Sequence, residues 1–365
     1  MDLSTAHRVP LSWLAEHGGE SIRLRALREL APPGQAGLEA FEAAVAQSKT
    51  ALAITKKQKD TGIWGGNLLG VTPSVREGIK DIGTIAQYRR LVQLGYSRTG
   101  RAFKLADRLL FRLLSKDEDP GLLFEYQKLG KDTPLAAEWL RDLNREAATC
   151  ALAESGYHED PRIRGSAHKI ASAVSAFLRS PLSENPYQRH GKTTILHPEA
   201  HPPTWYSLAM IAALPNLQRE RAGFTERLGQ YLSSPASKRA YAVQVGRKGL
   251  KPTMVLLGDP IETDSRGNAK DIPLALLAIE LLARIGAAGA SASAQKVLSR
   301  LCSECDENGV WHPKKLTAAP KATHPASYHC YPLHSDLKSP DGRIADVTFR
   351  LALIAKLTGR PLEYS

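Results

Sequence analysis

The sequence predicts an all-α protein built as an array of five to six helical hairpins. Three observations carry that expectation. Leu and Ala dominate a hydrophobic content of 42% while aromatics reach only 6%, a balance that favours helix over strand. Helix-ending residues, Gly95, Gly156, Pro215, Gly286 and Gly359, recur about every 60 to 70 residues. Short turns alternate with long connections of about 20 to 40 residues, so paired helices are antiparallel neighbours and the long loops emerge on one face.

Taken in order, residues 20–58 hold the first pair. Ile22, Leu24, Leu27 and Leu30 stand among arginines on an amphipathic helix stopped by Pro32-Pro33-Gly34; Leu38, Phe41, Val45, Leu52 and Ala53 mark the second. The pair 81–115 opens at Asp81 and turns at Gly95. The pair 135–179 turns at Gly156-Tyr157, with Pro161 suited to a first helical position. Pairs at 204–234 and 271–305 follow, and a closing helix spans 345–358. The first helix of each pair is apolar on most sides, as an inner layer needs, and the second carries more charge. Residues 181–203 and 235–270 read as long loops, and loops of that length are expected to carry function. One domain, 1–365, is expected.

The formal net charge of +12 and a pI near 9.5 favour anionic partners: nucleic acid, phosphorylated ligands or acidic surfaces. No run of like charges forms a basic tail. The most apolar stretch, Leu274 to Ala290, is interrupted by Glu280 and Arg284, so no membrane span is expected, and a cytoplasmic location follows as the expectation. Four cysteines in 365 residues do not make a disulfide framework.

Two segments share one spacing. Gln58-Lys-Asp-Thr-Gly62-Ile-Trp64 and Cys305-Asp-Glu-Asn-Gly309-Val-Trp311 each follow a helix and open a long loop. With Lys49 and Ile54 before the first, and Lys296 and Leu301 before the second, they resemble the QW repeat of squalene-hopene and oxidosqualene cyclases. Cys305 takes the Gln place, and Ala53 and Arg300 take the aromatic one. In physical terms the Gln amide ties a helix end to the turn, Gly permits the turn, and Trp packs over the adjacent repeat. The chain thus resembles the prenyltransferase/squalene-oxidase repeat superfamily, which implies an α/α toroid (α/α barrel). It also implies a terpene cyclase- or prenyltransferase-like protein with an apolar or isoprenoid-like ligand in its central cavity. Trp64 and Trp311 are expected to be buried and equivalent.

The acidic D-x-D-D motif by which triterpene cyclases protonate their substrate is missing from the sequence, and Asp117-Glu118-Asp119 before Pro120 is a solvated charge run. Asp81, Asp271 and Asp346 each begin an expected inner helix, where they serve as N-caps or as acid/base groups at a cavity mouth. His329 joins them as a catalytic candidate. Tyr88, Arg89, Trp205 and Tyr206 lie on inner helices as ligand-binding candidates or core. Cys302-x-x-Cys305 has metal-ligand spacing, and with His329 and Cys330 it makes a candidate zinc set. The resemblance to protein prenyltransferases, which hold zinc with Asp, Cys and His, points the same way. Two other readings remain: a non-catalytic scaffold for protein or nucleic acid, and a carbohydrate-active α/α barrel with carboxylates across a cleft.

Overall fold

The computed structural model describes residues 6–32, 38–70, 83–115, 123, 125, 131 and 133–365. The protein is mostly α: the described residues hold fourteen α-helices and three two-stranded ladders. In chain order they are β1 (His7–Val9), α1 (Leu11–His17), α2 (Glu20–Arg25, continued by a π-helical turn Ala26–Leu30), α3 (Leu38–Gln47), α4 (Lys49–Thr55) and α5 (Thr84–Leu94). Next come α6 (Arg101–Leu114), α7 (Pro134–Glu154), α8 (Pro161–Leu178), β2 (Tyr187–His190), β3 (Thr193–Leu196), α9 (Trp205–Ala213), α10 (Pro215–Glu220) and α11 (Ala222–Ser233). The last are β4 (Val243–Val245), β5 (Lys248–Leu250), α12 (Ile272–Arg284), α13 (Ala292–Cys302), α14 (Pro340–Leu357) and β6 (Leu362–Tyr364).

The residues sort into two compact units. The first comprises Met1–Lys56, Arg90–Ser97 and Pro260–Ser365; the second comprises Lys57–Arg89 and Arg98–Asp259. The boundary runs through α5, between Arg89 and Arg90.

The helix ends follow from local chemistry. Gly95, Gly156, Gly286 and Gly359 all have positive φ, between 72° and 96°. The residue after each donates to the carbonyl five back: Tyr96 to Leu91, Tyr157 to Leu152, Ala287 to Leu282 and Arg360 to Ala355. Four Schellman stops thus end four helices, each using the glycine that the sequence singled out. At the other end, Thr133, Asp160, Thr204, Asp271, Ser291 and Ser339 each accept a backbone N–H of the first turn.

Burial separates two kinds of helix. From Ile344 to Ala355 every residue of α14 is buried, as are Ala275 to Ala283 of α12 and Trp205 to Ala212 of α9. By contrast α6 and α13 bury a single stripe, such as Phe103, Ala106, Leu110 and Leu113 on α6.

The two Gly-x-Trp turns are the same structure, one in each unit. Gln58 pairs with Trp64, and Cys305 with Trp311, each in an isolated antiparallel bridge. Gly62 and Gly309 both sit at φ +88°. Trp64 and Trp311 are 2% and 1% exposed, and each backbone N–H donates to a threonine hydroxyl at 3.1 Å: Thr84 for the first, Thr348 for the second. The Gln58 amide donates to Gly62 O at 3.1 Å and to Ala102 O at 2.8 Å, the tie expected of it. A third turn of this shape escaped the sequence reading. Thr263 bridges Ala269 and Gly267 has φ +83°, so Thr and Ala stand where Gln and Trp stand elsewhere. Without the tryptophan the spacing alone gives no signal.

Two expectations change, and one strand is new. Residues 181–203 and 235–270 contain short hairpins, β2–β3 and β4–β5, where loops were expected. Their turns use Gly191 and Gly246 at positive φ, and β-branched Thr193, Thr194, Ile195, Val243 and Val245 form the strands. The closing helix starts at Pro340, capped by Ser339, so Asp346 lies in its second turn and is no N-cap. The N-terminal segment is a strand in register with the chain's end, His7 opposite Leu362 and Val9 opposite Tyr364. Asp81 and Asp117-Glu118-Asp119 lie outside the described residues.

Candidate functional site

Within the first unit, the buried helices α12 and α14 bring together charges far apart in the sequence. Arg350 of α14, 1% exposed, donates to Glu280 of α12 and, at 2.7 Å, to the Cys330 carbonyl. Glu280 also accepts from Arg284 one helical turn on, at 2.9 Å. Arg25 pairs with Glu29, donates to Gln93 at 2.7 Å, and lies over the Phe349 ring. Burial alone would raise the Glu280 carboxyl, but Arg350, Arg284 and Arg25 outweigh it and hold the pKa at about 2. The cluster is therefore ionised and mutually compensated.

Beside it, Arg90 is 7% exposed and donates to the carbonyls of Tyr328 and Pro332, stapling α5 to the loop before α14. Burial lowers the pKa of this guanidinium despite the nearby Tyr328 and Asp346. Asp346, 1% exposed, accepts the backbone N–H groups of Leu333 at 2.7 Å and His334 at 3.1 Å. Burial nonetheless raises its pKa, against those bonds and the charges of Arg350 and Arg90. Tyr331 is 2% exposed and its hydroxyl is buried without a hydrogen-bond partner among the described residues. His329 is 2% exposed in the same loop. Asp271 caps α12 through Leu274 N–H at 2.9 Å and also accepts from Thr323. The two described aspartates thus hold backbone in place: Asp271 as the expected cap, Asp346 as a loop anchor.

Within the second unit, α7 presents a polar face to α5 and α9. Arg89 makes a two-pronged pair with Glu154, at 2.6 and 2.8 Å, and lies 5.8 Å from the Tyr206 ring. Tyr88 donates to Asp107 at 2.7 Å and contacts Ser155 at 3.0 Å, while Tyr157 donates to the other Asp107 oxygen at 2.7 Å. Trp205 and Tyr206 are 3% and 7% exposed at the start of α9. So Arg89 and Tyr206 do come together, whereas the Tyr88 hydroxyl turns to α6 and the end of α7.

Glu146 gives no signal in the sequence. It accepts from Thr204 at 2.8 Å and is half-buried. Burial lifts its pKa to about 7 against hydrogen bonds from Thr204 and Ser207. Glu125, 0% exposed, gives none either; it accepts the Leu68 and Leu69 backbone N–H groups at 2.9 and 2.6 Å. Glu280, Arg284 and Arg350 had a visible signal: charges inside otherwise apolar helices must find partners if buried. Glu125 and Glu146 had none, because their partners are backbone and hydroxyl groups far along the chain.

The cysteine-histidine expectation is not met. Among the described residues no three His, Cys, Asp or Glu side chains converge as a metal site. Cys305 directs its thiol to the Leu301 carbonyl and Cys330 to that of Ser327, each within its own turn. Burial pushes the Cys305 thiol up to about 12 and raises Cys302. Cys302 and Cys305 instead end α13 and open the second Gly-x-Trp turn.

No helix among the described residues is long and apolar enough to cross a membrane. Comparison with protein-family models, with curated proteins and with solved structures finds no match.

Proposed function

We propose that the chain is an α/α toroid of the QW-repeat kind, terpene cyclase- and prenyltransferase-like in architecture. Its central cavity would take an isoprenoid-like ligand with an anionic head of the diphosphate class. The observation that carries this reading is the pair of equivalent turns. Gln58–Trp64 and Cys305–Trp311 share their bridge, their glycine conformation, their buried tryptophan and its threonine acceptor. That shared geometry supports reading the two segments as copies of one repeated tie.

The anionic head is supported by the buried and half-buried charges of the first unit. Arg25, Arg90, Arg284 and Arg350 face Glu29, Glu280 and Asp346 there. Arg90, held by carbonyls and penalised by burial, gains most from an incoming anion. Binding is favoured over cyclisation by protonation, since the D-x-D-D motif is missing from the sequence and Asp346 is engaged by two backbone N–H groups.

Titration calorimetry with farnesyl diphosphate, farnesol and inorganic diphosphate tests the proposal. Farnesyl diphosphate is expected to bind in the low micromolar range, with each fragment about tenfold weaker or worse. Arg90→Lys should weaken the diphosphate about tenfold and leave farnesol unchanged. If neither prenyl compound binds, and lipid extracts of the purified protein hold no isoprenoid, the reading fails.

A further inference from the structure

The two hairpins that replaced expected loops carry a concentration of charge that the toroid reading does not use. Residues 187–201 and 235–251 contain seven Lys or Arg, namely Arg189, Lys192, Lys238, Arg239, Arg247, Lys248 and Lys251, against one acid, Glu199. All seven are exposed. Arg189, Lys192, Lys238, Lys248 and Lys251 pair with none of the described carboxylates. Seven cations gathered around a single acid repel one another, and an anionic partner relieves that repulsion.

The hairpins are one surface. Ile195 of β3 bridges Ala242 in parallel, with Leu196 N–H donating to Ala242 O at 2.9 Å and Ala242 N–H to Thr194 O at 3.1 Å. The strand order is then β2-β3-β4-β5, anchored on Ala136 of α7 through Val243 and Val245. Because β3 and β4 run in the same direction, Lys192 lies at one end of the sheet and Lys248 at the other. At about 3.3 Å per residue they stand roughly 20 Å apart along the strands. A single phosphate cannot satisfy charges so spread; a polymer with successive phosphates can.

We propose that this double hairpin binds single-stranded nucleic acid. Its rings supply the second half of the chemistry. Tyr187 and Tyr241 are half-buried with ring centroids 5.3 Å apart, and the Arg239 guanidinium lies 5.4 Å from the Tyr187 ring. Aromatic and guanidinium faces among phosphate-binding cations are what unpaired bases stack on. An acidic membrane is the poorer fit. Basic patches that seat in lipid also insert apolar side chains, and the large exposed ones among the described residues, Leu135 and Tyr364, belong to neither hairpin.

Fluorescence anisotropy with labelled oligo-U, oligo-dT and an abasic strand of equal phosphate number, each about fifteen nucleotides, tests the proposal on the full chain. Oligo-U and oligo-dT should bind with micromolar affinity at low salt and lose about fiftyfold between roughly 50 and 200 mM salt. The abasic strand should bind at least about fivefold more weakly. The combined variant Lys192→Glu, Lys238→Glu, Lys248→Glu, Lys251→Glu should lose about thirtyfold or more with an unchanged melting temperature, its positions being exposed. Three results overturn the proposal: unchanged binding by that variant, an abasic strand that binds as tightly as oligo-U and oligo-dT, or capture by phosphatidylserine vesicles without oligonucleotide binding. None of these readouts depends on prenyl ligands, so this proposal and the toroid reading stand or fall separately.

Discussion

At the scale of single residues the interior charges of the two units respond to pH in opposite senses. Glu146 has a folded pKa near 7 against an ordinary 4.5, so the folded state binds its proton more tightly. Its contribution is fully present below pH 4.5 and is lost as pH rises through 7. Glu280 is held at about 2, so its contribution is present above 4.5 and is lost as pH falls towards 2. Glu146→Gln keeps an acceptor for Thr204 and removes the titration. It should therefore raise stability by about 2 kcal/mol at pH 8 and change little at pH 4. Denaturant melts at the two pH values check this; equal gains at both would show that Glu146 is not protonated in the fold. For the opposite sign, Arg350→Met removes the guanidinium from Glu280 and leaves the Cys330 carbonyl without its donor. Arg284 and Arg25 still compensate Glu280 in part, so the expected loss is about 2 to 4 kcal/mol at neutral pH, shrinking in acid as Glu280 protonates.

At the scale of elements the glycines separate by what surrounds them. A Cβ on Gly309 would lie 2.2 Å from Arg8 O, and one on Gly62 would lie 2.4 Å from Leu105 O, both at φ +88°. Gly286 ends α12 at φ +75° with nothing within 4 Å of its would-be Cβ. Gly309→Ala and Gly62→Ala should each cost more than about 2 kcal/mol, through a backbone clash added to φ strain. Gly286→Ala should cost about 1 kcal/mol, from strain alone. Thermal melts of the three variants rank them, and a Gly286 variant as damaged as the other two would overturn the distinction.

The same comparison shows what was legible in the sequence. Helix stops at Gly95, Gly156, Gly286 and Gly359, and the two Gly-x-Trp turns, were readable because backbone geometry demands particular residue types there. The turn at 263–269 was not, since Thr263 and Ala269 make the same bridge without a diagnostic side chain. Asp346 was misplaced because α14 starts five residues earlier than its apolar pattern suggested, on a Ser339-Pro340 cap. Of the candidate site, Arg89 with Tyr206 was visible as polar groups on apolar helices. The partners of Glu125 and Glu146 were not, since contacts of that range leave no local pattern.

At the scale of the whole chain, the ends of the sequence meet. In the first unit the glycine of the Cys305–Trp311 turn lies on a strand, where the glycines of the other two turns lie on helices. Gly62 rests against α6 at Leu105, and Gly267 against α13 at Lys296, but Gly309 rests against Arg8 of β1. The N-terminal strand thus takes the place of an outer helix for the final turn. It is held there by His7 N–H to Pro361 O at 2.8 Å, Ser365 N–H to Val9 O at 3.0 Å, and Ser12 N–H to Ser365 O at 3.0 Å. The Arg8 guanidinium also donates to the Glu307 carbonyl at 2.6 Å, inside the turn itself. Removing Pro361–Ser365 deletes the ladder but takes away no buried side chain, since these five residues are exposed or half-buried. The truncated chain should still fold and melt several degrees lower, by roughly the loss of 1 to 2 kcal/mol. Hydrogen exchange should rise in residues 6–17 and 305–311 together, because one strand supports both. Faster exchange in 6–17 alone would show that the turn at Gly309 stands without β1, and the strand would then be an appendage instead of the closing element of the repeat.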